Sequence, residues 1–213
     1  MMEILINDQK IQLLPEKAAL WVDEGILIVA DIHIGKAATL QSAGIPVPEG
    51  AMQQDLSKLA NLIAQLAVER CIIVGDLIHS KSGVTTLVQQ IFADWLATIK
   101  CKVDLVFGNH DRFLIKHLPT SWNLQPHHQN LVIGPFCFSH FPEILEDTFV
   151  WSGHLHPQFT LQSRNDRLTL PCFQISAQLV ILPAFSSFVG GTNIYKDSSK
   201  QIYVTTGSEV ICL

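Results

Sequence analysis

No apolar run in this 213-residue sequence reaches the roughly 18–20 residues needed to cross a bilayer. The amino end, Met1-Met2-Glu3-Ile4, lacks a basic patch followed by an apolar core. No secretory signal is therefore expected, and the cytoplasm is the expected location. Cysteine is sparse. Cys71, Cys101, Cys137, Cys172 and Cys212 are odd in number and form no C-x-x-C pair. That argues against a zinc ribbon or a disulfide framework, and reduced, buried thiols beside β-like runs are expected. Lysine and arginine cluster nowhere, and the net charge is −5 with His neutral. A protein that tracks a long duplex usually carries a basic stripe, so composition gives no support to an extended nucleic-acid footprint. A short footprint stays open, because bound divalent cations reverse the local potential of a site. Repeats, low-complexity tracts and long linkers are also missing. A chain this long buries a core without covalent staples, and one domain spanning 1–213 is expected.

What is present is apolar patterning of two kinds. Gly25 to Ala30, Cys71 to Val74 and Val103 to Phe107 are short continuous apolar runs, as expected of strands buried on both faces. Between them, Glu49 to Ala67 carries Met52, Leu56, Leu59, Leu62, Ile63 and Leu66 at helical spacing, and Val84 to Ile99 reads as a second amphipathic helix. The Pro-rich stretch Ile45 to Gly50 is expected to lead into the first helix, and Ile4 to Val22 to add antiparallel strands. After about residue 155 the texture becomes short and β-rich, around Phe159, Leu168, Gln178, Tyr195 and Tyr203, as it already is near Val132, Phe138 and Val150. Two or three βα units followed by many strands predict an α/β fold of two sheets packed face to face, with helices outside.

Five short motifs follow these apolar segments: Asp31-Ile32-His33, Gly75-Asp76, Gly108-Asn109-His110-Asp111, Ser139-His140 and Gly153-His154-Leu155-His156. Singly, each has a bland reading. A lone Asp after a strand is usually a cap or turn residue, a lone His a satisfied core residue, and Gly-Asn-His-Asp a turn. Together they deliver Asp, His and Asn side chains to the carboxyl ends of strands, where α/β sheets bind ligands. Mixed imidazole and carboxylate donors suit manganese, iron, zinc and related divalent ions. Two ions roughly 3.5–4 Å apart need a bridging ligand, and Asp76, isolated after Gly75, is the natural one.

In this order the motifs resemble the calcineurin-like metallophosphoesterase superfamily, over Asp31 to His156. The resemblance implies a four-layer α-β-β-α sandwich of two mixed sheets. It implies a first ion on Asp31, His33 and His156, a second on Asn109, His140 and His154, and Asp76 bridging both. His110 would be the non-ligand imidazole at the leaving group, with Asp111 a candidate to orient its ring. Asp31 to Lys36, Gly44 to Pro48, Gly75 to Ser80, Gly108 to Arg112, Gly153 to Pro157, Leu170 to Phe173 and Leu182 to Phe185 are similar to a bacterial branch described as a ligase-associated DNA-damage-response endonuclease. Its members are encoded beside a DNA ligase, a helicase and an exonuclease-like protein, which makes those three the implied partners.

The implied chemistry is phosphoester hydrolysis with two divalent ions, manganese first, with iron, zinc or magnesium as alternatives. The ions would activate a water and clamp the phosphoryl oxygens, and His110 would protonate the leaving oxygen. A phosphodiesterase or nuclease in DNA repair is the leading reading. A small-molecule phosphoesterase acting on nucleotides or cyclic nucleotides suits the acidic charge. A non-catalytic scaffold, like the retromer subunit of the same fold, is disfavoured because no position of the pattern is missing. Arg112 is read equally as a phosphate contact or a surface turn residue, Lys36 likewise, and His79 as supporting the site or touching substrate. His117, His127 and His128 are read as surface residues, and Trp95 and Trp122 as packing. The region after about Arg164 is read as sheet and rim.

Overall fold

In a computed structural model describing residues 1–47 and 50–213, the apolar runs become strands that face two cores at once. Pro48 and Glu49, which end the Pro-rich loop and begin the expected helix, lie outside the described residues. The first half runs β1 (Met2–Ile6), β2 (Gln9–Leu14), β3 (Ala18–Trp21), β4 (Ile26–Val29), α1 (Lys36–Ser42), α2 (Ala51–Gln65), β5 (Arg70–Val74), α3 (Thr86–Thr98), β6 (Lys102–Val106), α4 (Leu114–His117) and β7 (Gln125–His127). The second half is β8 (Leu131–Ile133), β9 (Phe136–Phe138), β10 (Phe149–Ser152), β11 (Pro157–Gln162), β12 (Arg167–Ile175), β13 (Leu179–Ile181), β14 (Thr192–Ile194), β15 (Gln201–Thr205) and β16 (Val210–Cys212).

The first sheet has the order β1-β2-β3-β4-β5-β6-β7. Its amino-terminal strands are antiparallel, as expected for Ile4 to Val22, and β4 to β7 are parallel. The second sheet has the order β14-β11-β12-β13-β10-β9-β8, with β15 and β16 joined through β12. It is mixed too: β9, β10 and β13 run parallel, whereas β12 is antiparallel to β11, β13 and β15.

Side chains alternate along a strand. Leu27, Val29, Cys71, Ile73, Val103 and Leu105 accordingly pack with Leu56, Leu59 and Ile63 of α2 and Val88, Phe92 and Leu96 of α3. Ile26, Ile28, Ile72, Val74 and Val106 point the other way and meet Phe136, Phe138, Trp151, Phe173 and Val180 of the second sheet. That double burial is why these runs read as unbroken apolar sequence. The fold is thus the expected α/β sandwich of two mixed sheets flanked by helices. Its helices are unevenly placed: all those among the described residues lie between Lys36 and His117. The outer side of the second sheet carries a small cluster of Cys172, Ile202 and Val204, with Phe159, Leu170, Ile194 and Leu213.

Helix α1 was not expected, and it buries none of its residues, so it carries no apolar stripe to read. Trp95 and Trp122 are packing residues, 8% and 3% exposed. Every cysteine is free; Cys71, Cys137 and Cys172 are buried, but Cys101 is half-buried and Cys212 exposed. His117 and His128 lie at the surface. His127 does not: its Nε2 bonds the fully buried Asp104 carboxylate at 2.6 Å, which Arg70 also holds through Nε at 2.7 Å and an Nη at 3.0 Å. No helix among the described residues is long and apolar enough to cross a membrane.

Candidate metal centre

Strands β4, β5 and β6 of one sheet and β9 and β10 of the other end on a common rim. Asp31 and His33 follow β4, Asp76 follows β5, Asn109 follows β6, His140 follows β9, and His154 and His156 follow β10. The loops stay paired beyond the strands. Asp31 N–H donates to the Gly75 carbonyl at 3.2 Å, His33 N–H to Asp76 at 2.9 Å, and Ile34 N–H to Leu77 at 2.7 Å. The donors therefore stand on extensions of the sheets, which position side chains better than free loops do.

Asp31 with His33 and His156 form a first group able to hold a cation, Asp76 with His140 and His154 a second, and His33 with His79 and His110 a third that shares His33 with the first. His33 Nε2 and His156 Nε2 are 3.4 Å apart. Two nitrogens on one tetrahedral ion stand about 3.4 Å apart, given bonds of about 2.1 Å. In the second group His140 Nε2 is 3.1 Å from His154 Nδ1 and 2.9 Å from Asn109 Oδ1. That is close to the spacing of about 3 Å for right-angled neighbours on a six-coordinate ion with bonds near 2.1 Å. Asp76 Oδ2 sits between the groups, 3.4 Å from His140 Nε2 and 4.0 Å from His33 Nε2. Its other oxygen accepts the His110 backbone N–H at 2.9 Å.

Three further features fit cations. Asp31 Oδ1 is buried without a hydrogen-bond partner, although His156 Nε2 lies 3.3 Å away. Burial pushes the Asp76 carboxyl up to about 8, against the opposing His110 backbone donor and with the Asp31 and Asp111 charges adding. Burial also drives His140 down to about 4 and His33 down to about 2, so both imidazoles are neutral, the form that ligates. For His156 burial works the same way, but the facing Asp31 carboxylate outweighs it and the net shift is upward. A buried carboxyl that favours a proton and neutral imidazoles with converging nitrogens form a ready donor set for divalent cations.

The backbone is strained at these donors. Asp31, His33, Asp76, His154 and His156 have φ of 57°, 51°, 47°, 70° and 47°. Non-glycine residues in this region cost roughly 1–3 kcal/mol each and concentrate at functional sites. The motif glycines are needed because the donors crowd them. A Cβ on Gly75 would lie 2.0 Å from His140 Nδ1, at a φ of 78°, and one on Gly108 would lie 2.2 Å from Asp76 Oδ1.

His110 stands beside His33, ring centroids 5.1 Å apart, with its side chain 38% exposed and Nε2 3.9 Å from Asp76 Oδ2. Its orientation comes from an unexpected source. His110 Nδ1 bonds the His79 carbonyl oxygen at 2.5 Å, and the two rings stack with centroids 5.4 Å apart. Asp111 does not orient it. The fully buried Asp111 carboxylate instead accepts the N–H groups of Leu77 at 3.2 Å, Ile78 at 3.0 Å and Gly108 at 2.9 Å. It ties the Asp76 loop to the Asn109 loop, and adjacency in sequence to His110 was misleading. Burial raises Asp111 to about 6 despite those three donors.

His79 lines the site, its ring centroid 5.5 Å from that of His33. Burial lowers His79 as it does His33, and Lys36 is close enough for its charge to add to both shifts. Arg112 is exposed and makes no ion pair or hydrogen bond among the described residues, so its side chain is not held at the donors. The segment after Arg164, read as plain rim, contributes more than that. Phe185 N–H donates to Ala30 at 2.8 Å and Ser186 N–H to Asp31 at 3.4 Å, which binds the loop to the first donor. Asp55 of α2 accepts Ser187 N–H, Lys17 donates to the Ser186 carbonyl at 2.6 Å, and Lys58 to that of Phe185 at 3.1 Å. No sequence pattern pointed to this clamp, since its members are far apart along the chain.

Fold and donor set together make the protein a metal-dependent phosphoesterase. Residues 25–166 match the family of calcineurin-like phosphoesterases, and the chain belongs to that family. Over its whole length the chain is similar to a solved structure, the nuclease MPE of Pseudomonas putida. The two are 34% identical, with 100% of this chain and 99% of that one covered and a TM-score of 0.87. A protein of unknown function from Aquifex aeolicus is 16% identical, with 66% and 81% covered and a TM-score of 0.45. The phosphoesterase Yfce of E. coli is 14% identical, with 87% and 96% covered and a TM-score of 0.45. No curated protein matches the chain.

Proposed function

We propose that the protein hydrolyses phosphodiester bonds with two divalent metal ions, and that it acts on DNA in repair. The observation that carries the two-ion reading is the position of Asp76, whose carboxylate stands between two separate groups of donors. Asp31, His33 and His156 would hold one ion, Asn109, His140 and His154 the other, and Asp76 both. Manganese is the ion we propose; iron, zinc and magnesium suit overlapping donor sets, so availability decides among them. Ions held there supply an activated water and neutralise charge on the phosphoryl oxygens.

The chain's own part is to place the leaving oxygen. With Nδ1 turned to the His79 carbonyl, His110 presents Nε2 to the centre, and that nitrogen delivers a proton to the departing alkoxide. The His79 carbonyl stabilises the imidazolium that makes this transfer. General acid help of this kind is worth about 10²–10⁴-fold. The crowded glycines and the Asp111 tie keep the donor loops from relaxing.

The DNA substrate rests on the full-length similarity to a nuclease. Functional association with a DNA ligase, a helicase and an exonuclease-like protein, as a single-domain cytoplasmic enzyme, completes the proposal. The net charge of −5 favours the competing substrate class, a nucleotide or cyclic nucleotide. Supercoiled plasmid and a chromogenic diester, each with manganese, separate the two. Nicking of the plasmid supports the nuclease. Hydrolysis of the chromogenic diester with the plasmid left intact would make the protein a small-molecule phosphoesterase.

A further inference from the structure

Most aromatic side chains of this protein are buried or half-buried, and Tyr195 and Phe141 are the exposed ones among the described residues. All four tryptophans are buried, and so are Phe92, Phe136, Phe138, Phe149, Phe173 and Phe185. Of the two exposed rings, Phe141, 45% exposed, is the one that stands at the metal centre. It directly follows His140, and its ring centroid lies 5.0 Å from that of His140 and 5.0 Å from that of His154. An apolar ring thus stands in solvent against two donors of the second metal group. Burying a Phe side chain stabilises a fold, and this one forgoes much of that stabilisation.

The turn that carries the ring is also held in place. Glu143 N–H donates to the Phe141 carbonyl at 3.0 Å. The Glu143 carboxylate in turn accepts from Ser139 Oγ at 3.1 Å and Asn130 Nδ2 at 3.3 Å. The turn carrying Phe141 is therefore pinned on both sides of the ring, as a preorganised contact surface requires.

We propose that Phe141 is the platform on which a nucleobase of the substrate stacks. This rests on the phosphodiesterase reading above. A phosphate bound at the donors brings its attached sugar and base beside the His140 and His154 wall, and Phe141 is the aromatic face there. Every base has a π-face, so such a platform selects nucleotidyl esters over simple esters without reading sequence. Alanine substitutions at stacking platforms correspond to roughly 5- to 140-fold in affinity.

The test compares two diesters that release the same p-nitrophenolate: thymidine p-nitrophenyl phosphate, as its 3′- and 5′-isomers, and methyl p-nitrophenyl phosphate, which has no base. Manganese-loaded wild type is expected to favour at least one thymidine ester in kcat/KM. Phe141→Ala should shrink that preference about tenfold, mainly through KM, and Phe141→Trp should restore it. An equal loss on all esters, or an unchanged preference, overturns the platform and leaves Phe141 as packing for the two histidines or as a contact for another partner. A wild type that hydrolyses none of these diesters instead removes the phosphodiesterase reading, and the platform with it.

Discussion

The imidazole of His110 is aimed by the backbone of His79: Nδ1 meets the His79 carbonyl oxygen at 2.5 Å, and the neighbouring Asp111 takes no part. The two residues of the His110-Asp111 pair therefore do different work, and their variants should separate cleanly.

His110→Ala should keep its metal ions and lose about 10²–10⁴-fold in rate, the range for a general acid. Asp111→Ala leaves three buried N–H groups unpaired, at about 1–3 kcal/mol for each group left without a partner. It should lower the melting temperature and the metal content together. Metal analysis and thermal melting of both variants check this. Metal loss in His110→Ala with none in Asp111→Ala would reverse the assignment.

Gly75→Ala tests the crowding at the second donor group. The added Cβ meets His140 Nδ1 and must also adopt a φ of 78°. We expect destabilisation of more than about 1 kcal/mol and a fall in bound metal. Chemical denaturation and elemental analysis measure the two effects.

Away from the metal centre, Asp104 sets a pH dependence. Burial alone would raise its carboxyl, but the Arg70 and His127 hydrogen bonds and the Arg70 and Lys102 charges outweigh burial and hold it low. A carboxyl depressed in the folded state adds stability above its unfolded pKa of about 3.9, and that stability is lost as pH falls through the lower folded value. Asp104→Asn should therefore be less stable than wild type at pH 7, with the gap narrowing below about pH 4. Melting curves from pH 7 to pH 3 check this, and a constant gap would contradict it.

That Asp31, His33, Asp76, Asn109, His140, His154 and His156 come together was legible because each sits in a short polar motif directly after an apolar strand. Strands β4 to β6 were legible because alternation between two cores leaves unbroken apolar runs, and the second sheet because its segments are short and β-rich. What escaped lies in three dimensions only. Helix α1 buries nothing and so carries no periodicity. His127 looks like a surface residue until β7 pairs with β6 and sets it against Asp104. Asp111 was misjudged because proximity in sequence says nothing of where a buried carboxylate finds its donors. The clamp of Lys17, Asp55 and Lys58 on residues 185–187 joins three distant segments, and no local pattern marks it.

Asp76 is the residue on which the two-ion account turns. The most direct test measures bound manganese and hydrolysis of bis-p-nitrophenyl phosphate in parallel for wild type and Asp76→Asn. The account predicts two ions per chain and diester hydrolysis in wild type, chelator-sensitive and restored by manganese, with both lost or sharply reduced in the variant. A wild type that binds one ion, or an Asp76→Asn variant that hydrolyses the diester as fast as wild type, would contradict it.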